Sequence, residues 1–110
     1  MSKNVLILPG DGIGPEISAE VDKVLNLVNK KHGLGLVLEQ GLVGGAAIDA
    51  AGSAFPEKTW QQCQSADAIL LACVGGPKWD SLPPAERPEI GGLLQIRSRL
   101  ELFANLRPAL

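Results

Sequence analysis

The chain has 110 residues, ten of them cationic and twelve anionic, for a formal charge of −2; 45% are hydrophobic and 20% charged. That is the balance of a folded globular domain rather than a disordered segment. The cations are dispersed, with only Lys30 and Lys31 adjacent, so the basic stripe of a nucleic-acid binder is absent, and no run of about 18 apolar residues exists to span a membrane.

In chain order, Asn4 to Leu8 is a short apolar run broken by Pro9-Gly10-Asp11-Gly12. This reads as a buried parallel strand and a tight loop. Pro15 suits a first helical turn and Glu16 its positive end. Ile17, Val21, Val24, Leu25 and Val28 then recur at helical spacing, with Gly33 and Gly35 as the stop. Leu36 to Leu38, with an extension towards Leu42, reads as a second strand. The order β–α–β predicts a right-handed crossover if the strands are parallel.

The small-residue segment from Gly44 to Asp49 reads as a loop or helical turn. Pro56 opens a short helix carrying Trp60 and Cys63. Asp67 to Val74 is uninterrupted and apolar, and is expected to be the central strand. Residues 75–92 are punctuated by glycines and prolines and read as one long irregular segment, a kind of loop that is usually functional or mobile. A helix is expected near Leu93 to Leu100, and a fourth, edge strand from Phe103 to Leu106, limited by Pro108. Alternating elements of this kind predict an α/β fold with an incomplete, mostly parallel sheet flanked by helices.

Few residues carry an obvious chemical signature. Cys63 and Cys73 lie ten apart with no CxxC, and read as buried reduced thiols. His32, the one histidine, falls at a helix C-terminus, where the dipole favours a surface role. The segment Gly10 to Glu16 spaces its glycines as G-x-G-x-G, not G-x-G-x-x-G. Pro15 also removes an N–H where a phosphate would seek one, so a close backbone approach is the better reading. The aspartates show no metal-ligand spacing, and no HExxH or GxSxG occurs.

Leu93, Leu94, Arg97 and Leu100 share one face of the expected helix. An arginine on an apolar face marks either a paired or snorkelling side chain, or an anion site with an apolar wall. The 75–89 loop offers a cation at Lys78 and a flat apolar face at Trp79. Taken alone it also reads as an ordinary surface loop.

The segments LPGDGIGPEI at 8–17, GGAAID at 44–49, ADAILLACVGGPKWD at 66–80 and RPEIGGLLQIRSRLELFANLRP at 87–108 occur in one order. Together they resemble the N-terminal part of the isocitrate/isopropylmalate dehydrogenase family, the decarboxylating β-hydroxyacid dehydrogenases. The resemblance covers essentially residues 1–110. It implies the N-terminal part of that family's α/β fold, whose cofactor site is not a Rossmann fold. It also implies oxidation of (2R,3S)-3-isopropylmalate by NAD with decarboxylation to 4-methyl-2-oxopentanoate, a step of leucine biosynthesis.

Isocitrate-type members carry a serine and an asparagine ahead of the first substrate arginine, where this chain has Leu93 and Leu94. Apolar side chains cannot offset the desolvation of a third carboxylate but can cover an isopropyl group. Arg97 and Arg107 match the family's first two substrate arginines. The loop Gly76, Pro77, Lys78, Trp79, Asp80, Ser81, Leu82, Pro83, Pro84, Ala85, Glu86, Arg87, Pro88 and Glu89 matches the segment flanking the NAD nicotinamide and ribose, with Glu89 nearest.

The resemblance further implies a cytoplasmic homodimer and a Mg²⁺ or Mn²⁺ ion. The third arginine, the catalytic tyrosine and lysine and the metal-binding aspartates fall outside these residues. There is no tyrosine in the chain. The expectation is therefore an N-terminal portion with two substrate arginines and a cofactor loop, but no catalytic or metal-binding residue and no turnover of its own. Alternatives are a dicarboxylate-binding module without turnover and a tartrate- or homoisocitrate-type relative.

Overall fold

The apolar run after Asn4 becomes a strand because β-branched and leucine side chains can bury on both faces of a pleated ribbon. A computed structural model describes residues 2–110, and in it β1 (Lys3–Gly10) is the middle strand of a three-stranded parallel sheet. β2 (Leu36–Gln40) pairs on one side, with Lys3 opposite Leu36 and Ile7 opposite Gln40. β3 (Ala68–Cys73) pairs on the other, from Val5 opposite Ala68 to Gly10 opposite Cys73.

Leu6, Ile7 and Leu8 are each 1% exposed or less. Leu6 and Leu8 join Val43, Phe55, Cys63 and Ile96 in the main core. Side chains alternate along a strand, which leaves Ile7 to the opposite face, where α1 (Gly14–His32) crosses β1 and β3.

The expectation that Asp67 to Val74 is the central strand is corrected. β1 takes that place, and no strand pairs with the outer side of β3 among the described residues. An unbroken apolar run reports burial of both faces, not the number of ladder partners. The expected strand at Phe103 to Leu106 is also corrected. Residues 102–110 form no strand and are exposed, so among the described residues the sheet has three strands and not four.

α1 is turned from its expected face. Gly14 and Ser18 are buried, with Val21, Leu25 and Val28 half-buried beyond them, while Ile17 and Val24 are exposed. Glycine and serine lie underneath because the helix start runs close to the sheet: a Cβ on Gly14 would strike the Pro9 carbonyl. The helix ends at Gly33 in the left-handed conformation, as expected. His32 is its last residue. Asn29 then anchors the turn by pairing its side chain with both the N–H and C=O of Leu36.

The segment from Gly44 resolves into α2 (Gly45–Ala51), and Pro56 precedes α3 (Glu57–Ser65). The 75–92 stretch is not irregular throughout. Tight single turns form at Pro77–Trp79 and Pro84–Glu86, and a wide turn spans Pro88–Leu93, where the Leu94 N–H reaches back five residues to Glu89. α4 (Leu94–Arg99) follows.

Candidate functional site

In parallel α/β sheets, ligand sites form outside the carboxyl ends of the strands. Here β1 and β3 end side by side at Gly10 and Cys73. Gly10 has φ of 71°, and a Cβ on it would overlap the Cys73 carbonyl. Gly10 and Gly14 of the first motif therefore serve close approach of backbone to backbone, while Gly12 supplies a left-handed turn residue. The expected turn is borne out, and the groups approached are the Cys73 and Pro9 carbonyls.

Asp11 follows directly and is 4% exposed. Its Oδ2 accepts N–H donors from Gly45 at 2.7 Å and Gly75 at 2.8 Å, and its Oδ1 accepts the Ala46 N–H at 2.7 Å. Its own N–H donates to the Cys73 carbonyl at 2.8 Å, and its carbonyl accepts from Gly14. α2 has no capping side chain at Gly44, so Asp11 satisfies its first amides from another part of the chain. Gly44, with φ of 76°, admits the carboxylate: a Cβ there would lie 2.6 Å from Oδ2.

The 75–89 loop begins on this carboxylate. Gly75 (φ 103°) packs so tightly against the Glu89 carboxylate that a Cβ would overlap it. The first and last residues of the loop thus meet beside Asp11. Midway, Lys78 donates to Asp49 at 2.6 Å and the Trp79 indole N–H donates to the same carboxylate at 3.3 Å. These bonds hold the Asp49 carboxyl below the usual aspartate range, the Lys78 bond first among them. The Trp79 ring lies where a Gly45 side chain would be. Farther on, Arg87 closes the loop on itself by donating to the Leu82 carbonyl at 3.0 Å. Asp80, Ser81, Pro83, Pro84, Ala85, Glu86 and Glu89 are exposed, and Pro88 is buried.

The four residues expected on one helix face divide. Leu93 and Leu100 are half-buried beside Ile96, whereas Leu94, 46% exposed, and Arg97 turn outward. The reason is the wide turn before α4, which shifts the register so that Ile96 becomes the buried residue. Arg97 forms no ion pair among the described residues, so the paired reading is set aside. It borders a shallow depression with Leu102, Phe103 and Asn105. Arg107 is exposed on the tail and does not line the depression that Arg97 borders.

Cys63 is buried, and burial pushes its thiol up. Cys73 is only half-buried, correcting the expectation for that residue, because it lies on the open-edged β3. Both are unpaired. A cleft of about 420 Å³ lies on the β2 side, between Pro9, Pro15, Leu42, Val43 and Thr59, and none of the expected site residues lines it. Among the described residues no three His, Cys, Asp or Glu side chains gather as a metal set. These residues therefore do not fit the divalent ion that the resemblance implies.

Sequence reading missed Asp11 and Asp49. Both lie inside small-residue segments. For Asp11 those residues are the available signal, because backbone donors approach a carboxylate closely only where side chains are absent, whereas Asp49 is reached by the Lys78 and Trp79 side chains.

A family model described as isocitrate/isopropylmalate dehydrogenase matches residues 4–110. The chain is similar to the 3-isopropylmalate dehydrogenase of Hahella chejuensis, at 64% identity over 110 residues, all of this chain and 30% of that relative. It is 61% identical to the one of Acinetobacter baylyi over the same span and share. It is 57% identical to the one of Moorella thermoacetica over 105 residues, 96% of this chain and 29% of that relative. The chain thus spans about 30% of the length of the curated relatives it matches.

Proposed function

From the premise that the chain belongs to the isocitrate/isopropylmalate dehydrogenase family, we propose that it supplies the N-terminal part of an NAD-dependent 3-isopropylmalate dehydrogenase. The carrying observation is identity of 64% and 61% to two 3-isopropylmalate dehydrogenases over every residue of the chain. The geometry supports the reading in one respect. The loop matched to the cofactor leaves the carboxyl end of β3 beside the carboxyl end of β1, the place where parallel α/β sheets take ligands.

NAD, when bound, supplies the two-electron oxidant for the substrate hydroxyl. The residues of this chain bind and orient. Residues Gly76 to Glu89 hold the cofactor's nicotinamide side, on a loop already pinned at Gly75, Lys78 and Trp79. The fit lies in the loop's place beyond the carboxyl ends of β1 and β3; the Cα atoms of Gly75 and Gly76 are themselves covered by Glu89 and Trp79. Lys78 is committed to Asp49, so it steadies the loop more than it neutralises phosphate.

Arg97 and Arg107 grip the carboxylates of the malate skeleton, a task suited to a planar guanidinium. Arg97 is exposed and unpaired among the described residues, which leaves its donors free. Leu94 stands one helical step away and, with Leu93, covers the isopropyl group. The metal ligands and the proton-transfer groups come from outside residues 2–110. The same reading carries a homodimer in the cytoplasm.

The test is NADH formation by the full-length protein that carries this chain, with isopropylmalate, isocitrate, tartrate, homoisocitrate and malate compared. Preference for isopropylmalate, reduced towards malate by Leu94→Ser, is expected. No NADH with isopropylmalate, or an equal rate with isocitrate, overturns the reading.

A further inference from the structure

We propose that Asp11 is a positioning residue for the cofactor-side loop, acting through the Gly75 N–H; the inference rests on the reading of residues 76–89 given above. Three backbone amides from two distant segments converge on one buried carboxylate, at 2.7, 2.7 and 2.8 Å. Amide bonds to an ionised acceptor are the stronger kind, and burial keeps water from replacing them.

The arrangement has a direction. Asp11 is itself held by the Cys73 carbonyl through its N–H and by Gly14 through its C=O, so it moves with the ends of β1 and β3. From that fixed point Oδ2 holds Gly75, and Gly75 in turn abuts the Glu89 carboxylate. Fixing one amide therefore sets both ends of the loop. The same oxygen holds Gly45, on which the Trp79 ring rests. Loop start, loop end and the tryptophan in its middle are all referred to one side chain that need not touch cofactor or substrate.

An asparagine at this position keeps the shape but turns an NH₂ group towards an N–H donor. At least the Ala46 amide is then unpaired, and the bonds kept by Gly45 and Gly75 lose their ionised acceptor, so the loop is held less firmly. Displacement of positioning groups by about 1 Å costs up to roughly a hundredfold in such sites.

In the full-length protein, Asp11→Asn is expected to raise KM for NAD by roughly tenfold to a hundredfold and to leave KM for isopropylmalate near the wild-type value. Asp67→Asn is the structural control. It takes the charge from the acceptor of the Asn4 N–H, 2.8 Å away at the far end of the sheet, and is expected to lower stability without changing either KM.

Equal changes in both KM values, or a fall in kcat alone that tracks the folded fraction, overturn the proposal. If Asp11→Asn does not fold, Gly75→Ala keeps the carboxylate but displaces Glu89, and the same KM split is expected. Unchanged kinetics there overturn the proposal.

If the wild-type protein forms no NADH, the functional reading falls, and amide hydrogen exchange over residues 75–89 decides the role of Asp11 alone. Faster exchange in Asp11→Asn than in Asp67→Asn supports the positioning role. Equal exchange overturns it.

Discussion

The Trp79 indole lies against the bare Cα of Gly45, in the volume a side chain at position 45 would fill. Its N–H donates to Asp49 one helical turn further along α2. A loop residue is thus seated on a helix that begins thirty-four residues before it.

Gly45→Ala is expected to push the indole off α2. Forcing a methyl group into a filled space costs about 1–3 kcal/mol. Denaturant unfolding should show that loss, with a red-shifted tryptophan emission and faster proteolysis between residues 76 and 89. An unchanged emission spectrum would place Trp79 elsewhere in solution.

Asp49 should make the loop sensitive to acid. Its folded pKa is depressed by the Lys78 and Trp79 bonds. A depressed carboxylate contributes stability above its unfolded pKa, about 3.9, and loses it as pH falls through the folded value. Loop protection is therefore expected to hold through neutral and mildly acidic pH and to weaken below about pH 4. Asp49→Asn should remove that dependence, and added salt should weaken the exposed pair. Protease protection against pH, in both proteins, is the measurement.

Two buried hydroxyls should respond in opposite ways. Ser18 Oγ is buried without a hydrogen-bond partner among the described residues, while Thr59 Oγ1 donates to the Leu42 carbonyl at 2.6 Å. Ser18→Ala is expected to be neutral or stabilising by up to about 1 kcal/mol, and Thr59→Val to destabilise by about 1–3 kcal/mol, since it leaves a carbonyl unpaired. Equilibrium unfolding in urea tests both. A large loss in Ser18→Ala would reveal a partner for that hydroxyl.

Residues 1–110 expressed alone are expected to melt broadly. The outer edge of β3 has no ladder partner among the described residues. Phe103 is 100% and Leu106 86% exposed on the tail. Open edges and bare apolar groups favour association over a sharp transition. Far-UV dichroism against temperature checks this, and a steep, concentration-independent two-state melt would contradict it.

Sequence reading succeeded where physics is local. The β–α–β order followed from apolar spacing, and the end of α1 from Gly33, since periodicity and left-handed caps are properties of neighbours. The proposed substrate and cofactor positions came from short motifs, which lie within the residues 4–110 that the family model matches. What the sequence left open was every choice between equally local alternatives. Whether β1 or β3 is central depends on which strands find partners. Whether Ile17 or Ser18 faces the sheet depends on how closely α1 approaches Pro9. Asp11 passed for one scattered aspartate because its donors lie 34, 35 and 64 residues away and are backbone amides, which no residue identity announces. The order of apolar runs and helical spacings along the chain determined that an α/β sheet would form; only the tertiary structure decided that one buried carboxylate joins its strand ends to the loop, because long-range backbone pairing leaves no period in the sequence.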